Sequence, residues 1–336
     1  MVHSFINAAL QGKNEFWRYL VGLIIIFVFS SIIGGIPALI VFMTSADPAA
    51  AMAMDFETAD INETLGFSVL LLSFAIGLIG VWIALKQLHH RPLVSTINPK
   101  NTINWKKVLV GAGIWFGLTL ILEGYNYYTT PEVYEWTFDF SRFLPILILA
   151  IILIPLQTSF EEIVFRGYLM QGLGVAFRYP IIPLLLTSAV FGAMHLANPE
   201  ITEYGTWIIW TYVGIGFMLG LVTLMDEGLE LALGVHAMNN LYACLFVTFP
   251  SSALSTPAMV TMTEFDAVQM SILGTIAQVA FVIICALIYK WDNFGKLFSK
   301  IVLRHPEKEK ADDKIADFVL REEGSIDNGQ WTMDNG

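Results

Sequence analysis

The chain has 336 residues, of which 56% are hydrophobic and only 14% charged, with a net charge of −11. Polar side chains are too scarce to coat a water-soluble globule of this size, so the composition points to lipid as the solvent. The acidic balance offers no footprint for nucleic acid. The two cysteines, Cys244 and Cys285, sit in apolar runs without metal-ligand spacing and read as packing residues.

A membrane-spanning helix needs about 20 mostly apolar residues. Stretches of that kind run at 18–43, 66–86, 108–122, 143–160, 181–198, 205–225, 229–249 and 270–290, about eight in all. The first is too long for a signal-peptide core of roughly 7–15 residues and is kept as a helix. Positive loops stay cytoplasmic. With both termini inside, every one of the 18 Lys and Arg residues except Arg142 falls on the inner side. The 226–230 turn is the weak point, because Asp226, Glu227 and Glu230 have no cation beside them in sequence.

After Tyr289 the chain becomes charged. Residues 291–303 mix Phe294, Leu297, Phe298, Ile301 and Val302 with lysines, which predicts an interfacial amphipathic helix. Residues 322–336 have a disordered composition. The expected fold is all-α: a polytopic membrane protein with about eight transmembrane helices and a cytoplasmic C-terminal tail. It divides into N-terminal helices with their loops (1–142), a transmembrane core (143–290) and the tail (291–336). The expected location is an integral multi-pass one, the inner membrane if the cell is bacterial.

Ionisable residues inside a membrane are costly and usually face a polar interior with a task. Three groups stand out. Glu161, Glu162 and Arg166 lie at the predicted end of the fourth span. Glu162 and Arg166 are i, i+4 and share a helical face, while Glu161 points about 100° away and is left for another partner. A carboxylate freed in a low-dielectric pocket suits a general base; the alternative is a helix end with both glutamates in water. Phe191 and His195 stand in the fifth segment beside small Gly192 and Ala193, which permit close helix approach. His236 and Asn240 stand i, i+4 in the seventh.

Together these side chains can supply a base, a water-positioning imidazole and oxyanion donors. Glu161, His195 and His236 are equally a ligand set for zinc with an open fourth position. Neither an HExxH zinc helix nor a G-x-S-x-G elbow is present. From the predicted span limits, at about 1.5 Å per residue, Glu161 lies near the membrane face, His236 about 10 Å in and His195 about 20 Å in. A shared site therefore requires a fifth helix that starts below the surface or tilts.

The ordered set Glu161-Glu162…Arg166, Phe191…His195 and His236…Asn240 resembles the CAAX protease and bacteriocin-processing (Abi) family of intramembrane endopeptidases, whose signature is EExxxR, FxxxH and HxxxN on successive helices. The resemblance implies a glutamate-dependent peptide hydrolase acting on a membrane-associated peptide or protein. In it Glu161 activates water with His195, His236 and Asn240 stabilise the oxyanion, and Glu162 with Arg166 supports the base. No cofactor is expected, because Asn240 is a poor zinc ligand and a good oxyanion donor; zinc is the alternative. The rival functions are a transporter or ion pathway and a non-catalytic immunity or chaperone relative. No inverted repeat supports the transporter.

Overall fold

The computed structural model describes residues 3–304. All eight apolar stretches form helices: α1 (Phe16–Met43), α2 (Glu63–His89), α3 (Trp105–Thr129), α4 (Phe140–Phe177), α5 (Ile181–Met194), α6 (Thr206–Asp226), α7 (Glu230–Leu245) and α8 (Ala267–Tyr289). Six are long and apolar enough to cross a membrane, whereas α5 has 14 residues and α7 has 16. Side-chain oxygens of Asn62, Asn104, Asp139 and Asp266 accept first-turn N–H groups and start α2, α3, α4 and α8. The outer faces are apolar, with Leu109, Ile121 and Leu287 at least 70% exposed. Glu162, Arg166 and Glu230 are fully buried. Apolar outside and ionisable inside is the arrangement of a polytopic integral membrane protein.

The fourth helix does not end at the glutamate pair. It runs on through a π-helical stretch, Ile163–Met170, to Phe177. This corrects the expected span limit and removes the depth conflict. Glu161 precedes the α4–α5 turn and His195 follows it. At about 1.5 Å per residue, Glu161 lies about 24 Å back from Phe177 and His195 about 21 Å on from Ile181. The two arms of this helical hairpin therefore bring both residues to similar depth. Helix α5 stops at Met194, short of its expected end, because Pro199 holds Asn198 in an extended conformation.

Helix α7 packs chiefly on α3 and α4, and α6 on α5 and α8. A Cβ at Gly234 would stand 2.0 Å from the Val108 carbonyl oxygen, so only glycine allows the close crossing of α7 over α3. The same holds at Gly192, whose Cβ would meet Val213 of α6 at 2.3 Å, as the small residues beside His195 foretold. The start of α7 is pinned under the 93–104 loop: Leu229 N–H donates to Ile97 O, and Asn98 Nδ2 and Asn104 N–H donate to Glu230 Oε1. Cations missing from the 226–230 turn arrive from elsewhere, Lys107 on Asp226 at 2.8 Å and Lys296 on Glu227 at 3.3 Å.

Two further features depart from the sequence reading. A small sheet of order β1-β3-β2 joins Tyr134–Trp136, Val260–Met262 and Val247–Thr248, linking the α3–α4 and α7–α8 connections. Residues 291–303 do not form an interfacial helix. Phe294–Phe298 is a single 3₁₀ turn, and Leu297 and Ile301 are buried in the main core. Ile301 N–H donates to Arg178 O and Asn7 Nδ2 to Val302 O, so this segment is tied to the helices. The predicted disorder at 322–336 lies outside the described residues. Cys244 and Cys285 are free and buried.

Candidate active site

The site is assembled where α4, α5, α6 and α7 meet. Glu162 and Arg166, both fully buried, are joined at 2.7 Å, and Arg166 also donates from Nη2 to the Gly216 carbonyl of α6 at 3.0 Å. Its guanidinium carbon lies 4.6 Å from the Phe191 ring centroid, which covers the charge with an aromatic face. The same Glu162 oxygen is 2.7 Å from His236 Nδ1. A carboxylate only accepts, so Nδ1 carries the proton and donates. His236 Nε2 then faces Glu161 Oε2 at 3.5 Å.

The two adjacent glutamates thus reach opposite nitrogens of one imidazole. Glu161 Oε1 accepts from Gln157 Nε2 at 2.5 Å, while its Oε2 is buried without a hydrogen-bond partner. Gln157, one turn before Glu161, uses its carbonyl oxygen to accept from Asn240 Nδ2 at 2.9 Å. Asn239 Nδ2 donates to Asn240 Oδ1, and Trp115 Nε1 donates to Asn239 Oδ1. Asn240 therefore has its amide orientation fixed from both ends and one N–H to spare.

His195 is held separately. It caps the end of α5, its Nδ1 donates to the Phe191 carbonyl at 2.8 Å, and its ring stacks on Tyr212 of α6 at 4.1 Å. The Tyr212 hydroxyl donates to Glu200, which also accepts from Asn198 Nδ2 and the Ala253 N–H. Phe191 stands between the imidazoles, with ring centroids 4.7 Å from His195 and 5.9 Å from His236. No hydrogen bond joins His195 to Glu161 or His236 among the described residues.

Of the residues named from sequence, Glu161, Glu162, Arg166, His236 and Asn240 form one bonded network, with Phe191 against it and His195 across Phe191. The zinc set of Glu161, His195 and His236 is not gathered as a ligand cluster. Among the described residues no three His, Cys, Asp or Glu side chains are placed to hold a metal ion, so no step is routed through one. Gln157, Asn239, Trp115, Tyr212 and Glu200 escaped the sequence reading. The i, i+4 spacing of Gln157 to Glu161 was a usable signal; for Tyr212 and Glu200 no short-range spacing existed.

Residues 140–242, which contain every residue of the bonded network except Trp115, match the model of the Rce1-like family of type II CAAX prenyl endopeptidases. The uncharacterized protein YyaK of Bacillus subtilis (strain 168) is 31% identical over 268 residues, covering 78% of this chain and 88% of that protein. No solved structure matches the chain. With the family's three motifs in order, a family model over them and a relative of this coverage, the chain belongs to the CAAX protease and bacteriocin-processing family.

Proposed function

We propose that the chain is an intramembrane endopeptidase that hydrolyses a peptide bond of a membrane-associated peptide or protein, with Glu161 as the base that activates water. The observation that carries this reading is the state of Glu161: one oxygen fixed by Gln157, the other buried, unpartnered and facing His236 Nε2. A carboxylate so held accepts a water proton without having to be freed first. His195, with Nδ1 engaged by a carbonyl, presents Nε2 as an acceptor in its neutral form. Water between the two acceptors has both protons directed and a lone pair free for the scissile carbonyl.

Attack places negative charge on the carbonyl oxygen. The spare N–H of Asn240 donates to it, and so does Nε2–H of His236 when that ring is doubly protonated. Glu162 and Arg166 hold His236 in register, and Glu161 then passes its proton to the departing amine, which balances the step. No metal is assigned a role. The reading places both termini and the 87–107 loop in the cytoplasm, with α5 and α7 completing a core of eight helices over 143–290 and its N-terminal partners. Impermeant thiol labelling of single cysteines in intact cells tests that: position 55 reacts and position 310 is protected.

The function is tested by incubating the detergent-purified chain with three probes: farnesylated C-a-a-X peptides, their unprenylated counterparts and single-span membrane peptides. In 18O-labelled water, mass spectrometry should find one solvent oxygen in the new carboxyl terminus, at a rate unaffected by EDTA. No cleavage of any probe, or activity lost to EDTA and restored by zinc, contradicts the reading.

A further inference from the structure

Around the end of α2 this acidic chain collects basic side chains beside one opening. Trp82, Lys86, His90, Arg91, Pro92 and Leu93 line a cavity of about 440 Å³. Trp82 and Lys86 are i, i+4 on α2, and the ammonium lies 4.6 Å from the indole centroid. The chain then turns through His90 in a left-handed conformation, φ 55°, which brings His90 and Arg91 to the same mouth. Tryptophan and lysine at the end of a spanning helix mark the level of lipid headgroups.

Arg91 is the anomaly. It is only 3% exposed, and its Nη1 donates to Gln171 Oε1 at 2.7 Å, while Nε and Nη2 are buried without partners. No carboxylate pairs with Lys86, His90 or Arg91 among the described residues. Glu15, on the adjoining segment, is taken by Arg18. Contrast Arg166, equally buried, which has Glu162 as its counter-charge. A buried cation without an anion is strongly disfavoured, so a position that keeps one gains when a ligand supplies the missing charge.

We infer that this cavity binds a phosphate-bearing anion at the membrane border, in the first place the headgroup of an anionic phospholipid. Lys86 and His90 contact the phosphate at the mouth, and Arg91 provides fixed positive charge behind it. Trp82 packs beside the glycerol and upper acyl region, as interfacial indoles do. Burial lowers the Arg91 pKa, with Tyr19 and Tyr168 only partly offsetting it, so an anion in the cavity also stabilises its charged form. This inference is independent of the peptidase reading.

The test uses the full-length protein in a neutral detergent, with melting temperature followed during titration by dihexanoyl phosphatidylglycerol, dihexanoyl phosphatidylcholine or inorganic phosphate. Phosphatidylglycerol should raise the melting temperature saturably, whereas phosphatidylcholine should not. In the doubly substituted Lys86→Gln/His90→Gln protein, whose altered side chains are exposed, the half-saturating concentration should rise by about fivefold or more, because the Lys86 charge and the His90 contact at the anionic headgroup are both lost. Saturation by inorganic phosphate alone, with the same dependence on Lys86 and His90, assigns the site to free phosphate and upholds the shared chemistry. No saturable response to either anion, or an unchanged response in the double variant, overturns the inference.

Discussion

His236 Nδ1 lies 2.7 Å from Glu162 Oε1, the same oxygen that Arg166 holds at 2.7 Å. One buried carboxylate oxygen therefore fixes both the helix-bracing arginine and the imidazole of the site. Glu161, its neighbour in sequence, touches the other nitrogen of that ring.

The two glutamates are consequently unequal. Glu162→Gln removes the charge that compensates fully buried Arg166, and breaking a buried pair from one side costs about 3–5 kcal/mol. The melting temperature of the detergent-purified variant should fall well below that of wild type. An unchanged melting curve would show that Glu162 is not holding Arg166.

Gln157 should behave as a positioning residue. Gln157→Leu leaves Glu161 Oε1 and Asn240 Nδ2 without their shared partner, a penalty of about 1–3 kcal/mol for each buried group stranded. Turnover should drop with the pH–rate profile displaced, while Gln157→Asn, which is shorter, should rescue little of it. A Gln157→Leu protein with wild-type kcat and an unmoved pH profile would remove the residue from the account.

Asn240→Ala and His236→Ala act on charge that develops only during reaction. Each should lower kcat by roughly 100–1,000-fold with a much smaller change in KM. Steady-state kinetics on a cleaved membrane peptide separates the two constants, and a change confined to KM would reassign these side chains to substrate binding.

At the end of α6, burial alone would raise the Glu227 pKa, but hydrogen bonds and charge from His3, the Phe5 N–H and Lys296 outweigh it and leave the pKa lowered from 4.5. A carboxyl depressed in the folded state contributes stability that is present above its unfolded value and lost as pH falls through the folded one. Melting temperature should therefore decline below about pH 4.5 with a slope that Glu227→Gln reduces. Parallel curves for the two proteins between pH 5 and pH 3.5 would place the acid sensitivity elsewhere.

Much of the helical framework was legible because apolar runs of spanning length have few other readings. The Glu162–Arg166 pair was legible because i, i+4 spacing is local. The end of α4 was not: an apolar template stops at charged residues, although here Glu162 and Arg166 pair with each other inside the bundle, Gln157 holds one oxygen of Glu161, and the helix continues to Phe177. Gln157 offered a local signal in its i, i+4 spacing to Glu161, but its link to Asn240, 83 residues away, was hidden. Tyr212 was hidden because its meaning depends on stacking against His195 across a helix boundary. Leu297 and Ile301 looked interfacial because their periodicity is amphipathic, but the buried face they supply is met by protein rather than lipid.

The most direct test of the central claim is the turnover of Glu161→Gln, measured beside wild type on the same membrane peptide in the same detergent. The amide keeps the shape and the hydrogen bond to Gln157 but cannot take up a water proton. Activity should fall to background while the melting temperature stays close to that of wild type. A folded Glu161→Gln protein that still cleaves at a wild-type rate would contradict Glu161 as the base.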